Sequence, residues 1–143
     1  MVRVLFILLV ICPHLIAQPT LNPNVPSPKQ ILGYELGDRF TSHSRIEQYL
    51  FALRDAAKDR MRLASYGETY EGRKLYTAIF TSPENLSRLD EIKAGIQRLA
   101  DPRTTSPTDA EKIISTSPAI VWLSYGVHGN EASSSEAALS LMY

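Results

Sequence analysis

Ala119-Ile120-Val121-Trp122-Leu123 leads into Ser124-Tyr125-Gly126-Val127-His128-Gly129-Asn130-Glu131, and then into Ala132-Ser133-Ser134-Ser135-Glu136. The first five residues are continuously apolar and too few for an ordinary helix, so they are expected to form a strand buried on both faces of a sheet, with Trp122 in the core. Ser133 to Glu136 has the capping-box pattern, which opens a helix running through Ala137, Ala138, Leu139, Leu141 and Met142. The end of a buried strand, followed by a glycine-containing loop and a helix start, is where open α/β sheets place their ligands.

Working back from that stretch, Thr108-Asp109-Ala110-Glu111 is expected to cap a short helix through Ile114, which Pro118 then breaks. Arg103 to Pro107 is loop-like. Pro83 suits a first helical turn after Ser82, and Leu86, Leu89, Ile92, Ile96 and Leu99 form an apolar stripe ending near Asp101-Pro102. Two strand-like stretches, Arg62 to Tyr66 and Leu75 to Phe80, flank Gly67-Glu68-Thr69-Tyr70-Glu71-Gly72-Arg73, which predicts a hairpin. Before it, Ser44-Arg45-Ile46-Glu47 matches a capping box, and Ile46, Leu50, Leu53 and Ala57 recur at helical spacing to about Arg60.

The N-terminus divides differently. Arg3 precedes the apolar run Val4 to Cys12, and small Ala17 suits a cleavage point, so Met1 to Ala17 is expected to be a signal peptide. The run is short of the roughly 20 apolar residues that span a bilayer, so no membrane attachment is expected after cleavage. The only cysteine, Cys12, lies inside this segment, and the cleaved chain would form no disulfide. Four prolines between Gln18 and Pro28 favour extended, solvated backbone, giving a linker over residues 18–30 and leaving a folded-domain portion over 31–143. Secretion or periplasmic export follows as the expected location.

Fifteen basic residues balance fifteen acidic ones, so bulk charge provides no field for holding nucleic acid or an anionic membrane. Strands alternating with helices point to an α/β fold, a mixed sheet with helices on both faces. The last helix reaches Tyr143 without a glycine cap or a polar stop, from which the chain is expected to be truncated.

His128 and Glu131 sit three apart in the loop after the expected strand. Imidazole nitrogen and carboxylate oxygen both ligate zinc well, and a catalytic zinc takes three protein ligands with one position left for water. Of the other histidines, His43 is expected to be solvated or capping near a helix start, and His14 leaves with the signal peptide. Ser124 and Ser133 to Ser135 crowd the same loop, yet there is no Gly-x-Ser-x-Gly elbow, and Ser133 is accounted for as a cap. Glycine-rich phosphate loops and paired-cysteine motifs are absent.

With Trp122-Leu123 before it, Ser124 to Glu131 resembles the zinc-binding strand and loop of the carboxypeptidase A-like metallocarboxypeptidases, peptidase family M14. Tyr66 to Leu75 resembles that family's Glu-Gly-Arg hairpin, which precedes the metal motif in the same order. The resemblance covers roughly Ser42 to Tyr143; the stretch Ser82 to Pro118 is longer than in compact digestive members. It implies that His128 and Glu131 bind Zn2+, that Arg73 contacts substrate at a secondary subsite, and that the substrate is a peptide or protein losing C-terminal amino acids. It also implies a third ligand, a histidine, and a glutamate general base from farther downstream, so no catalytic residue is assigned here and the 143-residue chain alone is expected to be inactive. Two other readings keep the same motifs: a zinc deacylase of N-acyl amino acids, and a secreted module that binds peptides without cutting them. Neither the oligomeric state nor the preferred C-terminal residue is legible.

Overall fold

The computed structural model describes residues 21–143; the expected signal peptide and the start of the expected linker lie outside the described residues. The chain passes through α1 (Pro28–Leu32), α2 (His43–Ala56), β1 (Met61–Glu68), β2 (Lys74–Phe80), α3 (Pro83–Ser87), α4 (Leu89–Ala100), α5 (Pro107–Thr116) and α6 (Ala132–Met142). This is the expected α/β chain of helices and strands, its sheet among the described residues being the antiparallel pair β1–β2. No helix of the described residues is long and apolar enough to cross a membrane.

The core forms around α2. Tyr49, Leu50 and Leu53 share one helical face by their spacing, and they are buried with Leu32, Ala57, Met61 and Leu139. Removing each large aliphatic side chain of this cluster from water contributes about 1.5–3 kcal/mol, so the cluster supplies the main cohesion of the chain. Leu139, fully buried, brings α6 onto the same cluster as residues from the opposite end of the sequence.

The hairpin forms as expected and is longer. Met61 pairs with Phe80 and Glu68 with Lys74, and an irregularity between Ser65 and Gly67 bends β1. Gly72, at φ +77°, lets the turn close with its N–H donating to the Thr69 carbonyl at 2.9 Å, and the Thr69 N–H donates to the Arg73 carbonyl at 2.8 Å. The sheet docks on α2 through the Tyr76 hydroxyl, which donates to Glu47 at 2.9 Å, and through the edge-to-face pair Phe51–Tyr76.

Five expectations need correction. The end of the expected linker is packed: Ser27 and Gln30 form a reciprocal capping box, Pro28 begins α1, and Pro28 and Leu32 are buried. Helix α2 starts after Ser42 rather than Ser44, because Glu47 engages Tyr76 and His43 instead of reaching back to cap. The expected helix from Pro83 is broken at Arg88, whose guanidinium reaches Asn85 and the Thr116 carbonyl at the end of α5, and α5 is capped by Ser106 rather than Thr108. Most consequentially, Ala119 to Leu123 forms no strand. Val121 and Trp122 are 79% and 75% exposed, because a strand buried on both faces needs neighbours to bond with and, among the described residues, β1 and β2 bond only to each other.

Candidate metal centre

Three local features shape the loop that carries His128 and Glu131. Gly126 adopts φ +69°, a left-handed conformation that turns the chain, and its N–H donates to the Ser134 hydroxyl at 3.1 Å. Glu131 is the residue before α6, and its N–H donates to the His128 carbonyl at 3.1 Å, closing a turn between the two candidate ligands. The His128 N–H in return donates to Glu131 Oε2 at 3.3 Å.

That exchange orients the carboxylate. With Oε2 held by the main chain, Oε1 stands 4.0 Å from His128 Nε2. Two donors on one tetrahedral zinc, each at about 2.0–2.1 Å, lie roughly 3.3 Å apart. The gap closes by a small rotation of side chains that are 71% and 44% exposed, so the pair fits two positions of a zinc site. Among the described residues no third histidine, cysteine or carboxylate joins them.

The other candidates sit elsewhere. Arg73 is at the hairpin turn, its Nη1 2.6 Å from Glu71 Oε2, and it lines a groove of about 580 Å³ with Phe40, Ser42, His43, Gly72 and Lys74. Neither His128 nor Glu131 lines that groove. His43 ties α2 to β2, its Nε2 3.0 Å from the Lys74 carbonyl and its Nδ1 3.4 Å from Glu47, so both ring nitrogens already face partners.

Two residues gain roles that their sequence pattern does not suggest. Ser134 accepts from Gly126 and donates to the Glu131 carbonyl at 2.7 Å. Glu136, expected to complete a capping box with Ser133, instead accepts the Gly37 N–H at 2.7 Å and the hydroxyl of buried Thr41 at 2.9 Å, tying α6 to the loop before α2.

A sequence model of the zinc carboxypeptidase family, peptidase M14, matches residues 46–143. No curated protein and no solved structure gives a significant match. Since the matched span takes in the hairpin, the His128–Glu131 turn and the helix that follows it, the chain belongs to the zinc carboxypeptidase family.

Proposed function

We propose that this protein is a zinc-dependent metallocarboxypeptidase that hydrolyses C-terminal amino acids from peptides, with His128 and Glu131 as two of the metal ligands. The observation that supports it is the 4.0 Å approach of His128 Nε2 and Glu131 Oε1 in a solvent-open loop inside the family match. Zinc in such a site supplies polarisation of a carbonyl and activation of water. His128 presents Nε2 while its main-chain N–H fixes Glu131 Oε2, leaving Oε1 as the carboxylate oxygen that faces the imidazole. Arg73, on the hairpin turn, offers a guanidinium to a peptide in the adjoining groove, where it now pairs with Glu71.

Export belongs to the same proposal and is supported by Arg3, the apolar run Val4 to Cys12 and Ala17. A secreted form beginning at Gln18 is the expected result of N-terminal sequencing.

The function is tested by incubating the protein with zinc and a peptide bearing a free C-terminal carboxylate, beside the same peptide amidated. Release of the C-terminal amino acid from the free acid alone, abolished by a chelator and by His128→Ala, is expected. Cleavage of an N-acyl amino acid instead would move the assignment to a deacylase, and zinc binding with turnover of neither would leave a peptide-binding module.

A further inference from the structure

We infer that Ser134 is the positioning residue of the His128–Glu131 pair, holding the loop in the shape that lets both donors meet one metal ion. This rests on the assignment of that pair as metal ligands.

From Ala119 through Ser133 every residue is exposed, so packing does not fix the conformation of the ligand turn. The turn's own bonds, Glu131 N–H to the His128 carbonyl and His128 N–H to Glu131 Oε2, set the two ligands relative to each other but anchor them to nothing. Glu131 leads directly into α6, and the side chain that reaches from that helix back across the loop to Gly126 is Ser134, in its first turn.

A serine hydroxyl that donates to the carbonyl three residues back, as Ser134 does to Glu131 at 2.7 Å, is common in helices. What sets Ser134 apart is its second bond. The same oxygen accepts the Gly126 N–H at 3.1 Å, eight residues away, so a single hydroxyl ties down both ends of the segment that carries the ligands. Gly126 is suited to this: at φ +69° its amide is turned toward α6, and a side chain there would strain the backbone. Helix α6 is in turn fixed by Leu139 in the core and by Glu136 on Gly37 and Thr41. The Gly126 end of the ligand turn is thereby linked to the folded body through one oxygen atom, while the Glu131 end runs directly into α6, where the Ser134 N–H also donates to the Glu131 carbonyl at 3.2 Å.

Partners that orient ligands from outside the coordination sphere are worth about 10- to 100-fold in metal affinity. Ser134→Ala in the full chain is expected to weaken Zn2+ affinity at least about 10-fold with the thermal midpoint unchanged, because the hydroxyl lies away from the core cluster. Ser134→Thr, which keeps the hydroxyl, is expected to restore affinity. In the unaltered chain the Gly126 N–H is expected to exchange with solvent more slowly than the Gly129 N–H, which has no acceptor among the described residues. Wild-type affinity in Ser134→Ala, failure of Ser134→Thr to restore it, or equal exchange at Gly126 and Gly129 would each overturn the inference. His128→Ala separates the two levels: if it loses the metal while Ser134→Ala does not, the positioning role alone falls, and if it binds as wild type does, the ligand assignment falls and takes this inference with it.

Discussion

Helix α2 and the stretch Ala119 to Val127 are both rich in large apolar residues, and the protein treats them in opposite ways. Tyr49 and Leu53 are 0% and 1% exposed, whereas Val121 and Trp122 stand mostly in solvent. Apolar composition creates a demand for burial, but only a partner surface meets it. α2 finds one in α1, the hairpin and α6; the later stretch, without a strand beside it, finds none among the described residues. Cohesion and the proposed chemistry are therefore separated along the chain: the first region holds the fold together, and the second leads into the His128–Glu131 turn, the proposed metal pair, on a loop secured by a few polar bonds.

This separation is broken most decisively by substitution in α2. Leu53→Ala is expected to cost about 2–5 kcal/mol in chemical denaturation. A loss below about 1 kcal/mol would mean that α2 is not the principal source of cohesion. Next in size is the tie between the regions. Glu136→Ala strips the acceptor from the Gly37 N–H and from the 2% exposed Thr41, and is expected to cost about 1–3 kcal/mol. An unchanged denaturation midpoint would show α6 to be held by Leu139 alone.

Tyr49 gives a pH test of the packed region. Burial, followed by the nearby Tyr143, pushes its hydroxyl up from 10.0 to about 12. The folded state therefore keeps this proton where the unfolded state has released it, so the contribution is complete below pH 10 and lost as pH rises toward 12. Comparison with Tyr49→Phe isolates the effect: wild type is expected to lose about 1–3 kcal/mol more than the variant across that window. Parallel curves would place Tyr49 in contact with water. The smallest effect belongs to the exposed stretch, where Trp122→Ala is expected to change stability by no more than about 0.5 kcal/mol, and a core-sized loss would show that Trp122 is buried in solution.

What the sequence makes legible follows the same division. The hairpin and the course of α2 are readable because glycine turns and helical spacing act locally, and the family resemblance rests on them and on the loop carrying His128 and Glu131. Helix starts are less legible, for one repeated reason. Ser44–Glu47 and Ser133–Glu136 both spell capping boxes, yet in each case a distant partner takes the acid: Tyr76 for Glu47, Gly37 and Thr41 for Glu136. Conversely, Ser27–Gln30 forms a true capping box inside a proline-rich segment whose composition reads as a linker. The pairing of His128 with Glu131 is visible in their spacing. The Ser134 clasp is not, because the bond from Gly126 depends on a left-handed turn that composition does not announce.

The central claim is that His128 and Glu131 share one metal ion. It is tested most directly by titrating the protein with Zn2+ while following the imidazole resonances of His43 and His128, alongside His128→Ala and Glu131→Ala. A shift confined to His128 is expected, with zinc binding lost in either variant; zinc binding that leaves His128 unmoved, or that survives both substitutions, would contradict a shared site.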